Sequence, residues 1–558
     1  MIAPTLVVAG SWLVAALVLL GCGYTCRRAM DRIAGWGHEV RLRPADFWIG
    51  LAVVVAYVEV WSLFAPIDAT TLAAPAVLAG GTGLIGLRRV ALRRRLARRA
   101  PRGRLALIGV TGAAILWLAN LALGKPTSWD SGLYHFPAIE YASRFAAIPG
   151  LANLHERLGA TDAHLLFVAL LDNGPWDDAG FHLANGLLVA VLLVDIVWRF
   201  LEQTRPPVTR NVAVLLVPAT VATVAIDPGG RLSSPSLDLP MFVLVAVGTL
   251  YLCESVERFD ASAALAATAA FGTACATRPY FLPAALVVLV AVAVSSRRRR
   301  RTLAVVTVIP ATVLAAWAAR QAVLAGYPLL PLKVGALPVD WRVPTDMVDE
   351  ANAWVRSWAR LPHEDPDLVL SSWNWLSGWL SRSSTDADLL GPLTLSIVAA
   401  LPFGAYRPAR RPMVAALVPT VLTLMLWFFA APDPRFAYAP LWLLPIVFLA
   451  SRPIDHRLAA VCTYIAVAAV VIGGAWRPVT SPGDGPFGSF EPPTPAVLTS
   501  RTATGLIVRR PVRDDRCWRV PLCAPSVKAR LRLRGKDVAS GFRMSMPNAR
   551  VRPLVASG

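Results

Sequence analysis

Residues 128–159 read SWDSGLYHFPAIEYASRFAAIPGLANLHERLG, and this stretch holds most of the side chains with a capacity for chemistry. Asp130 comes first, with Ser131, Tyr134 and His135 close behind it. Asn153, His155, Glu156 and Arg157 form a second polar cluster, framed by Gly150 and Gly159. A carboxylate here can act as general base towards a hydroxyl. It can also ligate a divalent metal that neutralises a phosphate leaving group. Zinc held by Asp130, His135 and His155 is a further option, although no HExxH-type spacing supports it. The plainer alternatives are that Asp130 caps a helix and that the histidines are only hydrogen-bonded. If 129–144 is helical, Asp130 and Tyr134 share one face, as do Ser131 and His135. Pro137 is tolerated only in a first turn or at a kink.

A second group is basic. Arg278, Arg320 and Arg435 each fall at the end of an apolar run, and Lys333 follows in an adjoining loop. A guanidinium near hydrocarbon is costly unless paired, and its fork matches phosphate oxygens. Three aimed at one place would hold a lipid-linked phosphate. The alternative is snorkelling, or local pairing such as Arg435 with Asp433.

The elements that must position these groups are transmembrane helices. The chain has 558 residues, 56% hydrophobic and only 16% charged, against about 25% charged in an ordinary soluble domain. Apolar runs of nearly span length recur, and in lipid such runs must be helical. About fourteen spans are expected, near 4–22, 46–64, 70–87, 105–123, 179–199, 211–226, 239–253, 262–276, 280–296, 302–325, 387–405, 412–430, 438–450 and 458–475. The net charge of +20 is concentrated in loops such as 88–104 and 297–301. That is the positive-inside pattern, and it argues against nucleic acid and for membrane lipids as the partner. Alternating basic and non-basic loops put both termini outside, with no basic region ahead of the first apolar run to mark a cleavable signal.

Three outer segments are long enough to carry a site: 124–180, the tryptophan-rich 326–389, and the tail 476–558. The chain thus divides into N-terminal helices (1–104), a membrane core (105–475) and the tail. Five cysteines lie in or beside spans, where they read as packing residues. Cys517 and Cys523 bracket a turn-like segment in the tail, and an oxidising outer location favours a disulfide between them over free thiols or zinc.

An acidic residue heading the first large outer loop, two large outer loops in this order, and the segment PDPRFAYAPLWLLP together resemble the GT-C superfamily of membrane glycosyltransferases. WDSGLYHFPAIEYA, PGLANLHERLG and the tail CWRVPLCAP also look like an uncharacterised family of bacterial polytopic membrane proteins. The resemblance implies an all-α polytopic protein of the bacterial cytoplasmic membrane with a GT-C-like core. It would transfer a sugar from a polyprenyl-phosphate-linked donor on the outer face. Asp130 would be the catalytic base. Tyr134, His135, Asn153, His155 and Arg157 would bind substrate, and Arg278, Arg320 and Arg435 the donor phosphate. The acidic pair common in that superfamily is absent, since Ser128 stands two residues before Asp130; a lone Asp suits a base better than a metal site. No cofactor is expected, with a divalent metal left open. A lipid-linked glycan transporter or flippase, a metallohydrolase and a non-catalytic assembly subunit are the competing readings.

Overall fold

A computed structural model of the chain describes residues 2–36, 41–80, 102–160, 162–201, 207–401, 410–452 and 485–545. The expected span at 458–475, Cys462, all of 81–101 and most of the 407–411 and 452–457 segments lie outside these residues.

Helix dominates. Among the described residues eight helices are long and apolar enough to cross a membrane: Ala3–Ala34, Pro44–Trp61, Arg104–Ala122, Phe181–Leu201, Pro207–Ala225, Asp238–Glu257, Arg299–Ala325 and Arg411–Ala430. Five other expected spans correspond to shorter apolar helices, namely Ala69–Gly80, Ala261–Thr277, Pro279–Ser295, Ala387–Ala400 and Pro434–Ala450. The bundle packs around Asp238–Glu257 and the alanine-rich Ala261–Thr277, both buried over almost their whole length. Small residues let the backbones close up. Gly50 sits where a Cβ would lie 1.9 Å from the Leu19 carbonyl oxygen, so the first two long helices touch through their main chains.

Asp238 and Glu254 mark the two ends of the central helix, about 24 Å apart at the α-helical rise. The Glu254 end is closed by buried ion pairs. Arg199 donates to Asp195 at 3.1 Å and to Glu254 at 2.5 Å. Asp195 also accepts from the Trp48 indole and the Tyr251 hydroxyl. Arg27 bonds Asp46 at 2.5 Å. Charges removed from water are tolerable here because each meets an opposite charge with further hydrogen bonds.

The long connections gather at the Asp238 end. The 124–180 segment folds into short helices. The 326–389 segment forms the amphipathic helix Thr345–Arg360, then Pro366–Leu370 and Trp375–Ser383. The tail adds the only strands among the described residues, two antiparallel ribbons: Val497–Arg501 with Ile507–Pro511, and Leu531–Leu533 with Phe542–Met544.

Candidate functional site at the Asp238 end of the bundle

The segment 129–144 is helical only in part as an α-helix. Ser131–His135 forms a π turn, closed by the Phe136 amide donating to the Ser131 carbonyl, and the α-helix proper is Phe136–Arg144 with Pro137 in its first turn. Such wide turns recur at functional sites. Asp130 makes no side-chain cap bond. Its Oδ2 instead accepts from Arg435 Nη1 at 3.1 Å, a contact spanning the chain from the first loop to the last described long helices. The Tyr134 and His135 rings meet edge to face at 4.4 Å.

Arg435 also lies 3.7 Å from Asp433. Asp433 in turn caps the Pro434–Ala437 turn by accepting from the Arg435 amide, so the local pairing and the long-range pairing coexist. Arg278, just past the end of Ala261–Thr277, is ion-paired to Asp238. The guanidinium carbons of Arg278 and Arg435 each stand 5.0 Å from the Phe436 ring centre, and the Tyr280 hydroxyl donates to the Phe436 carbonyl. Two of the three expected arginines therefore converge on one ring beside Asp130. Arg231, paired with Asp388, lies over Tyr438 at 4.4 Å and extends the charged lining. Arg157 is sandwiched between Tyr134 (5.6 Å) and Trp354 (4.9 Å), drawing the tryptophan-rich segment over the first loop.

The other expected site residues are placed elsewhere. Arg320 is buried; its Nε donates to the Ser62 hydroxyl at 3.0 Å and its charge faces Glu59, whose two oxygens have no hydrogen-bond partner. Its contacts are not those of Arg278 and Arg435. Asn153 is buried and ties loops together, donating to the Gly150 and Trp341 carbonyls. His155 caps the Glu156–Leu158 turn, its Nδ1 accepting from the Arg157 amide. Lys333 pairs with Asp349 in an exposed position.

Electrostatics separate the acids by role. Burial pushes the Asp130 carboxyl up, but Arg435, His135, Arg157 and Arg278 outweigh it and hold the pKa below the usual carboxylate value. Asp162, at the head of Ala163–Leu171, goes the other way. Burial, with Glu59 and Asp130 nearby, raises it well above the ordinary range against the pull of Arg278. Burial lowers His135 and His155 to about 4, so both are neutral at pH 7. Two neighbouring acids shifted in opposite directions, Asp130 down and Asp162 up, show the kind of divergence that marks acid–base sites. Among the described residues no three His, Cys, Asp or Glu side chains converge as a metal ion would need, and Asp130, His135 and His155 do not form such a group.

Asp162, Asp238, Asp388 and Arg231 are missing from the sequence-derived set. The three acids stand at or just before the first turn of a helix, where an acid reads as a cap or a dipole partner. Their shared position at the same ends of apolar runs was the available signal.

The tail closes over this region. Cys517 and Cys523 are joined, with Cα atoms 5.7 Å apart. Inside that small loop the Trp518 amide donates to the Gly132 carbonyl at 2.7 Å, and its ring packs on Phe136 at 5.6 Å. Arg516 stacks on Trp129 at 4.2 Å, and the Trp129 indole donates to Asp515. Asp340 takes both Arg534 (3.0 Å) and Arg543 (2.8 Å), joining the tail to the second long segment.

A family model described as a domain of unknown function, DUF8201, matches residues 6–442. The chain belongs to the DUF8201 family. The matched stretch runs from the first long helix to within the Tyr438–Ala450 helix. It thus includes Asp130, Asp162, Arg231, Asp238, Arg278, Asp388 and Arg435 but not the disulfide-bearing tail. No curated protein and no solved structure matches this DUF8201 chain.

Proposed function

We propose that this DUF8201 chain is a multi-pass membrane glycosyltransferase of GT-C type. It moves a sugar from a polyprenyl-phosphate-linked donor to an acceptor on the outer face of the cytoplasmic membrane. In this reading the five shorter apolar helices and 458–475 are also spans, giving fourteen, and the Asp238 end faces outward. The observation that carries it is the meeting of Asp130 with Arg435, flanked by Arg278 and Arg157, at the end of a bundle of apolar helices. A carboxylate kept ionised can take the proton of an acceptor hydroxyl as the new bond to the anomeric carbon forms. The bond from that carbon to the phosphate oxygen breaks, and the electron pair leaves on the phosphate. Arginines suit that phosphate through charged, paired N–H donors.

The arginines are already compensated: Arg435 by Asp130 and Asp433, Arg278 by Asp238. A donor phosphate would therefore compete with Asp130 for Arg435, and its arrival would release the carboxylate to act as base. Arg157, held by two rings and without an acidic side chain bonded to it among the described residues, is the cation freest to meet the phosphate directly. Tyr134 and neutral His135 line the same place, Asn153 and His155 hold the loops, and Arg320 is assigned no donor contact. Clustering of these groups at helix ends rather than mid-bundle favours transfer over transport.

The test is Asp130→Asn in cells and in a purified assay with synthetic polyprenyl-phosphate sugars. Loss of the general base should lower turnover by about 10²–10⁴-fold. If inserted, folded Asp130→Asn protein leaves both the surface glycan and the transfer rate unchanged, the proposal fails.

A further inference from the structure

Four of the tail's cations are neutralised by acids outside the tail: Arg519 by Asp178, Lys528 by Glu156, and Arg534 and Arg543 by Asp340. The ribbon Val497–Arg501/Ile507–Pro511 and the residues after it are different. Arg501, Arg510 and Arg513 are exposed and have no ion pair among the described residues. Each stands with an apolar side chain left in water. Leu498 is opposite Arg510, Ile507 is opposite Arg501, and Val512 precedes Arg513. Those three apolar residues are 48%, 46% and 51% exposed. The acids next in sequence are engaged elsewhere, Asp514 by Arg516 and Asp515 by Trp129.

Strand alternation puts Leu498 and Arg510 on one face of the ribbon and Arg501 and Ile507 on the other, so each face carries a guanidinium beside an exposed aliphatic tip. That pairing suits an element that enters an anionic lipid interface, where charge meets headgroups and short apolar groups reach the acyl boundary. The chain also enters the tail beside the helix ends. The Phe490 carbonyl accepts from His182 in the Phe181–Leu201 helix, and Lys125, just beyond Arg102–Ala122, lies 5.9 Å from the Phe490 ring. The ribbon begins shortly after that point. We infer that this ribbon is an anionic-phospholipid contact by which the tail rests on the bilayer holding the bundle, through Arg501, Arg510 and Arg513 with Leu498, Ile507 and Val512. The inference needs only that the bundle is membrane-embedded and is independent of glycosyl transfer.

Each basic side chain at an anionic surface multiplies binding roughly fivefold, so the three together shift the ratio of lipid-bound to free ribbon roughly a hundredfold. The full chain carrying a bimane label at Thr499→Cys is placed in nanodiscs containing brominated lipid, with and without phosphatidylglycerol. Bimane quenching should rise with phosphatidylglycerol content, fall at high salt, and be lost in R501Q/R510Q/R513Q with the Cys517–Cys523 disulfide intact. Quenching equal in neutral and anionic discs would overturn the inference. So would bimane unresponsive to lipid but shifted by soluble polyphosphate, which would make the partner an acidic polymer.

Discussion

Replacing Gly132 by alanine tests whether the tail holds the candidate site in place. A Cβ at this position would stand 2.7 Å from Trp518 Cε2 and 2.9 Å from Arg516 Cβ. Carbon atoms prefer about 3.5–4.0 Å, so the tail loop must retreat by roughly 1 Å or the turn must deform. Overpacking of this kind costs about 1–3 kcal/mol. Full retreat instead gives up the Trp518–Gly132 hydrogen bond, about 1 kcal/mol, and the Trp518–Phe136 ring contact, about 0.5–1.5 kcal/mol. The chain takes the cheaper route. Either way the local docking equilibrium shifts by roughly one to two orders of magnitude. The remaining tail contacts, among them the Phe542 amide to the Pro149 carbonyl at 2.8 Å and the Asp340 pairs, keep the rest in place. The assay is hydrogen exchange read by mass spectrometry. Peptides covering 131–137 and 514–520 should exchange faster by that factor, while those from Asp238–Glu257 stay unchanged. Unaltered exchange in both site peptides would refute this account of tail docking. If the tail positions Asp130, the proposed transfer activity should fall along with the lost protection.

Two further outcomes follow from the same geometry. His135 and His155 titrate near 4 when folded, against 6.5 for an unperturbed side chain; the unfolded chain therefore binds more protons between those values. Stability should be complete above about pH 6.5 and fall as pH drops towards 4, by up to about 3 kcal/mol per histidine; thermal unfolding of His155→Gln against wild type should show the shallower pH slope. Replacing both Cys517 and Cys523 by serine opens a loop whose ends are six residues apart, at a cost of about 2 kcal/mol to the tail. Proteolysis should then cut within 485–545 while the helical circular dichroism signal persists.

Much of the frame was legible in the sequence because its causes are local. Apolar length and the demand for internal backbone hydrogen bonding select helix, and the expected spans among the described residues are helical or largely so. Cys517 and Cys523 are near neighbours in the chain, so their pairing needed no knowledge of the fold. Asp130 stood out by type and place. Which groups meet it did not. Arg278, Arg320 and Arg435 look alike in sequence, each a cation at the end of an apolar run, but a helix's rotation about its axis decides where its terminal side chain points. Composition leaves that rotation open, and the packing turns Arg320 towards Glu59 and the other two towards Phe436. The same packing delivers Asp162, Asp238 and Arg231 to the site, and joins Asp130 to Arg435 across 305 residues. Local chemistry determined the helices and named the acid; only the tertiary contacts decided its partners, because charge pairing depends on distance in space and not on order along the chain.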